Sequence, residues 1–560
     1  MATSSQSLHP VARVRDLVSL YGDPAASAAY LLCDRRPAQA LAYRVVGQDL
    51  KAANLTYGDL RIASERFAAA LSDLGIAPGD RVATLMGKST EYLVTLMAIW
   101  RLGAVHVPLF TAFAPSAIAL RLKGSAAKVV VCDASQQAKL VPGADIPADA
   151  AWRTITTAPK HLAPPTALRF ADLLAAHGPG IPAVALGGEA PIIHIYTSGT
   201  TGRPKGVVVP MKALAGFQAY AEFGLGLRSD DSFWCAADPG WAYGLYFGVL
   251  ASFTTGVPSL LLQGGFDAGA TYNVLSRYKV TNIAAAPTVY RSLRTAQVAV
   301  PRDLKLRCAS SAGEPLTPEV NEWAVDALGV SVHDHYGQTE AGMLVNNHHH
   351  PDLKKPLRVG SMGTPMSGWA VQVLRQNEDA PAADGELGRV AVEVSQSPLA
   401  WFTGYLNDAE KSAEKFAGSG RWYLTGDVGR KDDEGYFYFS SRDDDVIIMA
   451  GYRIGPFEVE SVLTTHSAVS ECAVIAAPDD IRGEVLEAFV VLRSNAAPTT
   501  ETVQDLQQWV KIRYAAHAYP RSIHFVESLP KTPSGKVQRF ILRQKRRDEL
   551  AASQSKAEAR

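Results

Sequence analysis

Apolar residues Leu60, Ala63, Phe67, Leu71 and Leu74 recur at three- and four-residue spacing behind Thr56-x-x-Asp59. That pattern predicts an amphipathic helix opened by a capping box, with Asp in place of the usual Glu. Gly75 closes the helix, and Pro78-Gly79-Asp80 turns the chain into an apolar strand, Arg81–Met86. A helix over about Glu91–Leu102 and strands at Ala104–Pro108 and Ala127–Cys132 continue the alternation. Alternation of this kind predicts parallel sheets covered on both faces by helices.

The region Pro142–Gly188 is rich in Ala and Pro and reads as a long, partly irregular connection. A buried strand follows at Ile192, Ile193, Ile195 and Tyr196, broken by His194. Further strands are expected near Pro258–Leu262, Asn282–Ala285, Lys305–Ala309 and Val330–His333. From about Gly360 to Phe439 the pattern changes to short strands and turns (Ala370–Leu374, Gly388–Val394, Gly435–Phe439), as in an antiparallel or barrel-like piece. Beyond Arg442 an α/β pattern returns, and Lys545–Arg560 reads as a solvated tail. The fold expected is therefore α/β (α+β overall). It has a large N-terminal domain, 1–441, of two parallel-rich sheets plus a barrel-like subdomain, and a small C-terminal α/β domain, 442–560.

Composition narrows this little. The chain has 560 residues, 47% of them hydrophobic and 20% charged, which is ordinary for a globular protein and long enough for more than one domain. Lys+Arg and Asp+Glu are equal at 55 each, so no global field draws nucleic acid or an anionic membrane. Five scattered cysteines without a C-x-x-C pair argue for a reducing compartment, here the cytoplasm, and against structural zinc. Arg13 and Arg15 near the N-terminus leave a mitochondrial transit peptide as an alternative. The uncharged stretch Pro239–Leu262 is interrupted by Pro258 and four glycines, so it reads as a buried helix and strand and not as a membrane span.

The candidate chemistry begins at Thr197-Ser198-Gly199-Thr200-Thr201-Gly202-Arg203-Pro204-Lys205-Gly206, immediately after the apolar strand. Hydroxyls, glycines and one lysine cannot build a core, but backbone N–H groups and an ammonium can hold a polyphosphate. The run is not a P-loop: Pro204 precedes Lys205 and Gly206 follows it, where G-K-[ST] is required. Gly313-Glu314-Pro315 follows a predicted strand, the end at which open α/β sheets bind ligands. Asp334-His335-Tyr336-Gly337-Gln338-Thr339-Glu340 offers an aromatic face, a hydroxyl and a carboxylate for base, phosphate and Mg²⁺. Asp427, in Tyr423-Leu424-Thr425-Gly426-Asp427, can accept two ribose hydroxyls. Ser441–Pro456 joins three carboxylates to an apolar strand and Gly451-Tyr452-Arg453. Pro530-Lys531-Thr532-Pro533-Ser534-Gly535-Lys536 lies near the C-terminus. His348-His349-His350 lacks a carboxylate or cysteine at ligand spacing and reads as a solvated loop, whereas His194 reads as a hydrogen-bonded core histidine.

In this order the motifs resemble the signatures of the adenylate-forming superfamily, which includes acyl-CoA synthetases, luciferases and peptide-synthetase adenylation domains. The resemblance runs from about Leu55 to Val537. It implies that Thr197, Ser198, Gly199, Thr200, Thr201, Lys205, Gly313, Glu314, Pro315, Asp334, His335 and Gln338 bind ATP or AMP. Tyr336 would pack on adenine, Thr339 bind the α-phosphate, Glu340 hold Mg²⁺, and Asp427 and Arg442 take the ribose. Asp444 would be the domain hinge, and Arg453 would touch phosphate in one domain arrangement. Lys536 would catalyse adenylation and the Gly451 loop would face the thiol during thioester formation. A positioned ammonium suits the first step, because a carboxylate attacking a phosphate brings two anions together.

The activity implied is carboxylic acid plus ATP to acyl-AMP and pyrophosphate, then acyl transfer to CoA, with a mobile C-terminal domain serving both steps. Ala237-Asp238-Pro239-Gly240-Trp241 resembles a stretch whose Trp lines the acyl pocket in the acetyl- and medium-chain group. Gly337 stands where acetyl-specific members have a blocking Trp, so an acid longer than acetate, short- to medium-chain or aromatic, is expected beside Trp241 and Tyr243. ATP, Mg²⁺ and CoA are the expected small molecules, and a homodimer stays open. Two alternatives remain at this point: acyl transfer to a separate carrier protein, and a non-catalytic nucleotide- or acyl-binding protein.

Overall fold

The computed structural model describes residues 9–197, 204–449, 452–479, 483–515, 517–532 and 535–558. Two large sheets organise the N-terminal part. In the first, seven strands lie side by side. Arg81–Leu85, Val105–Pro108, Val129–Cys132 and Pro191–Thr197 form its parallel centre, and Lys205–Pro210 closes one edge antiparallel to Pro191–Thr197. The helix Tyr57–Asp73 that feeds this sheet has both bonds of the expected capping box, from Asp59 N–H to Thr56 and from Thr56 N–H to Asp59. The irregular region after Pro142 contributes the parallel strand Arg153–Thr156 and, outside it, the short edge strand Leu168–Arg169 to the same sheet.

The second sheet has fourteen strands. Phe233–Cys235, Asn282–Ala285, Cys308–Ala312 and Val332–Gln338 run parallel, and the chain then reverses into Gly342–Asn346. The barrel-like piece is continuous with this sheet, because Ser361–Pro365 pairs on one side with Gly342–Asn346 and on the other with Phe437–Arg442. The uncharged stretch after Pro239 folds as expected, with buried helix over Gly244–Thr255 and then the strand Ser259–Leu262. Two of the expected strands shift: Lys305–Ala309 becomes Cys308–Ala312, and Val330–His333 extends to Val332–Gln338, through the signature itself.

Phe437–Arg442 is the last strand of the large sheet. A single 3₁₀ turn, Asp443–Asp445, leads to Ile447–Met449, which belongs to a separate five-stranded sheet with its own apolar core. Asp444 thus occupies the short connection between two sheets, where a few dihedrals can reorient a whole domain. The C-terminal segment Arg539–Glu558 is a helix, which the reading of Lys545–Arg560 as a tail does not include, while Lys545, Arg547, Asp548 and Glu549 are exposed as expected. Its apolar content is low, but Arg539 pairs with Glu460, Arg543 with Asp445 and Arg546 with Glu487, so ion pairs dock a helix that hydropathy alone does not reveal.

Candidate active site

The strand Val332–Gln338 places the signature, and its two-residue period divides it. Asp334, Tyr336 and Gln338 share one face. Tyr336 donates from its hydroxyl to Asp427 Oδ2, and Gln338 Nε2 donates to the same oxygen at 2.7 Å. Arg442 Nη1 lies 3.1 Å from Asp427 Oδ1. Asp427 is buried at 3% exposure, so three donors converge on one desolvated carboxylate. Gly426, at φ 79°, turns the chain into this position, and a Cβ there would stand 3.3 Å from Lys415 Nζ and 3.4 Å from Arg442. Asp334 accepts from Leu316 N–H at 3.4 Å. Burial pushes its carboxyl up to about 8, so at neutral pH it is largely protonated.

His335 departs from the nucleotide-binding expectation. It lies on the opposite face, 2% exposed, between the Tyr220 hydroxyl and the Asn347 carbonyl. A motif written as consecutive letters hides this, because neighbours on a strand point to opposite sides. Gly337 is also corrected. A Cβ there would stand 2.1 Å from Gly342 O and 2.6 Å from Met343 Cα. The missing side chain therefore leaves no open pocket space; it lets the neighbouring strand approach at the bulge between Tyr336 and Gly337.

Glu340 is 8% exposed and accepts from the Tyr405 hydroxyl at 2.8 Å on Oε1, while its other oxygen makes no hydrogen bond among the described residues. Lys205, opposite Thr197 on the paired edge strand, holds its ammonium 5.0 Å from the Tyr405 ring centroid. Tyr405 therefore stands between the phosphate-loop lysine and the candidate metal carboxylate. Ser198, Gly199, Thr200 and Thr201 lie outside the described residues, as does Gly451; Arg453 is in the strand Tyr452–Ile454, but its side chain is not described. Thr339 accepts from the Tyr246 hydroxyl on its backbone carbonyl, at 3.2 Å. Gly313 has φ 96°, a value suited to glycine, and Glu314, just before Pro315, pairs with Arg291 at 2.7 Å.

Lys536 reaches this cleft from the other domain. Its loop is closed by Thr532 N–H donating to Lys536 O at 2.7 Å and by Lys536 N–H donating to Thr532 Oγ1 at 3.0 Å. A Cβ on Gly535 would lie 3.2 Å from Thr288 Oγ1 and 3.6 Å from Glu314 Oε1, so the loop rests directly on the N-terminal domain. The Lys536 side chain remains exposed in the open cleft, although protein surrounds it. That crowding lowers its pKa from the ordinary ammonium value, opposed by Glu314, Asp427 and Glu340.

Sequence reasoning missed Lys415. Its ammonium donates to Thr425 O at 2.9 Å, and burial lowers its pKa, opposed by Glu340 and Asp427. A single lysine ahead of Phe416 carried no signal. Tyr405 was missed for the same reason; Tyr423, which opens the Asp427 signature but was given no role, donates to Gln338 Oε1 at 2.9 Å and fixes that amide.

Trp241 packs on Phe110 and Phe113 with centroids at 5.0 and 5.6 Å. Tyr243 packs on Phe247 at 5.1 Å, and both meet Tyr220, whose ring lies edge-on to His335, so the aromatic wall reaches the signature strand at its Tyr243 end.

The histidine run also differs from expectation. His348 is buried and His349 stacks face to face on His333 at 3.7 Å and 14°. Candidate ligand nitrogens of His333, His335 and His349 lie within 4.8 Å of one another. Parallel stacked rings cannot aim two in-plane lone pairs at one ion, and both nitrogens of His335 are engaged, so the arrangement is a packed core and not a metal centre. His194 is buried as expected, but its ring stacks on Tyr196 at 4.9 Å and its Nε2 finds no hydrogen-bond partner among the described residues.

The family model for the AMP-binding enzyme matches residues 33–406, and that for the AMP-binding enzyme C-terminal domain matches 458–536. The chain belongs to the adenylate-forming AMP-binding family. It is similar to an uncharacterized acyl-CoA ligase of Bacillus subtilis, with 36% identity over 511 residues, covering 89% of this chain and 91% of the relative. The acetyl-coenzyme A synthetase of the same organism is 33% identical over 530 residues, covering 92% and 90%. The crystal structure of Brucella canis acyl-CoA synthetase matches with a TM-score of 0.74 and 42% identity, covering 97% of this chain and 99% of that one. The chain is therefore an acyl-CoA synthetase, an AMP-forming ligase that joins a carboxylic acid to CoA with ATP through an acyl-adenylate. Among the described residues no helix of this acyl-CoA synthetase is long and apolar enough to cross a membrane.

Proposed function

We propose that the acid is short- to medium-chain but longer than acetate, or aromatic, and that it lies against Trp241 and Tyr243. The observation that carries this reading is the aromatic wall of Trp241, Phe110, Phe113, Tyr243 and Phe247 beside the signature strand. Such a wall gains more from a chain or ring than from a methyl group, at about 0.8 kcal/mol per buried methylene. Discrimination between neighbouring lengths is then broad, because one methylene separates substrates by only about 1–3 kcal/mol.

Tyr336 would stack on adenine, and Asp427 with Arg442 would hold the ribose. Lys536 would offset the repulsion between the attacking carboxylate and the α-phosphate, with Thr339 on that phosphate. The free oxygen of Glu340 suits a hard cation, and Mg²⁺ held there would neutralise phosphate charge. The 3₁₀ turn at Asp444 would let the C-terminal domain exchange Lys536 for the Gly451 loop before CoA attacks. A cytoplasmic location fits the five unpaired cysteines, all buried.

The test is pyrophosphate release and thioester formation across straight-chain, branched and aromatic acids, with and without CoA. The reading expects acids of about four or more carbons to give the highest kcat/KM. Acetate as the best substrate would overturn the size assignment. Adenylate without thioester, restored by a carrier protein, would overturn CoA as acceptor.

A further inference from the structure

The face of the signature strand turned away from Asp427 carries a second polar system. Tyr220 Oη lies 2.7 Å from His335 Nδ1 and 3.0 Å from Tyr243 Oη, while His335 Nε2 lies 3.1 Å from the Asn347 backbone carbonyl. A carbonyl oxygen only accepts, so Nε2 carries the ring proton. Desolvation holds the His335 pKa well below the ordinary imidazole value, so the ring is neutral and Nδ1 is a bare lone pair. Nδ1 can only accept, which obliges Tyr220 to donate to it. Tyr220 has a single proton, so its contact with Tyr243 is made with Tyr243 as donor. Each direction is forced by the previous one. The last consequence falls on Tyr243, whose only proton points inward and whose remaining lone pairs point elsewhere.

Of the three side chains, Tyr220 is 0% and His335 2% exposed, and only Tyr243 is half-buried. The open end of the relay is therefore Tyr243, two residues after Trp241 on the aromatic wall. We propose that Tyr243 is an acceptor-only specificity residue, so that the preferred acid carries a hydrogen-bond donor (hydroxyl, amino or amide N–H) where its acyl group reaches this phenol. Tyr220 and His335 act as positioning residues that set the polarity of Tyr243. The inference rests on the proposal that Trp241 and Tyr243 line the acyl site.

The experiment uses the full-length enzyme with acids matched in size. One series pairs hydroxy acids with their methyl isosteres and with keto acids that can only accept, at chain lengths of about four to eight carbons, a span that brackets the short- to medium-chain acids of the proposed function. The wild type should prefer the hydroxy acid over its methyl isostere by about tenfold in kcat/KM at one length, expressed in the KM for the acid with the KM for ATP unchanged. Tyr220→Phe removes the acceptor for the Tyr243 proton, so Tyr243 can then donate. The hydroxy-to-keto ratio should fall by about tenfold, with the keto acid gaining in absolute terms.

A purely structural role for Tyr220 would lower all acids in parallel, and that outcome overturns the inference. So does a wild type without donor preference at any length. Tyr243→Phe should erase the preference; this variant decides the matter if thermal unfolding shows that Tyr220→Phe does not fold, since a retained preference would overturn the proposal. If Tyr243→Phe leaves every acid unchanged, the acyl-site reading itself fails. If it shifts the KM of all acids equally, only the polarity inference fails.

Discussion

The two faces of Val332–Gln338 are built from one stretch of seven residues and do opposite things. Tyr336 and Gln338 bond directly to Asp427, which Arg442 also pairs; Asp334 stands on the same face, and the loop of Lys536 from the other domain rests nearby on Glu314 and Thr288. His333 and His335 are buried among His349, Tyr220 and Asn347, in a lattice whose hydrogens have one arrangement. The first face keeps capacity for a ligand: Glu340 has a free oxygen and Lys536 stays exposed. The second face is already satisfied except at its Tyr243 end. A face of partly committed donors and acceptors can exchange partners as a reaction proceeds. A closed network can only hold shape and polarity. On the function proposed above, the first face would serve the nucleotide and the second would select the acid.

The largest effect expected is on Lys536→Ala, which should lower acid-dependent pyrophosphate release by about 10²–10³-fold. Thioester formation from supplied acyl-adenylate should stay within a few-fold of wild type, since the proposed function gives that step to the Gly451 loop and not to Lys536. Both rates falling together would break the comparison, because the nucleotide face would then depend on Lys536 for architecture and not for chemistry. The next effect is structural. Gly337→Ala puts a Cβ 2.1 Å from a backbone carbonyl of the neighbouring strand, which cannot step aside as a flexible side chain would. Denaturant unfolding should show a loss of about 1–3 kcal/mol. A variant as stable as wild type would show that the bulge relaxes freely.

The division between the faces was only partly legible in the sequence. Periodicity and punctuation were enough for the helix capped at Thr56 and for Asn282–Ala285, where the local pattern and the burial agree. The order of signatures was enough for the family. The side on which each signature residue stands was not legible: His335 stands between Asp334 and Tyr336, for which nucleotide binding is expected, and faces away from them. His348 and His349 are polar letters that read as loop, yet His348 is buried and His349 stacks on His333, because the strand Gly342–Asn346 leads them alongside the sheet. The helix Arg539–Glu558 escaped notice because ion pairs to Glu460, Asp445 and Glu487, residues distant in sequence, hold it. Lys415 and Tyr405 complete the site from a stretch without any pattern.

A smaller effect sharpens the nucleotide face. Asp427→Asn weakens the pairing with Arg442 and the charge-assisted bonds from Tyr336 and Gln338. The KM for ATP should rise about tenfold while the ranking of acids is kept. A changed ranking would mean that the two faces are coupled through the strand and are not independent.

The smallest effect expected concerns Asp334, whose carboxyl is pushed up to about 8 by burial against an ordinary value of 3.8. The folded protein therefore keeps a proton that the unfolded chain releases near pH 4. The stability contributed by that proton is complete below about pH 4, is lost as pH rises towards 8, and then levels off. Asp334→Asn cannot ionise, so its advantage over wild type should grow between pH 5 and pH 8.5. Thermal unfolding should register that gap widening steadily with pH over this span, because burial is what holds the proton on the folded carboxyl. A difference that is constant with pH would mean that the carboxyl is already ionised in the fold. The same proton bears on the proposed nucleotide site: a neutral Asp334 would add no negative charge beside the phosphates placed there. In wild type the KM for ATP should therefore climb as pH passes about 8, and in Asp334→Asn that climb should be absent.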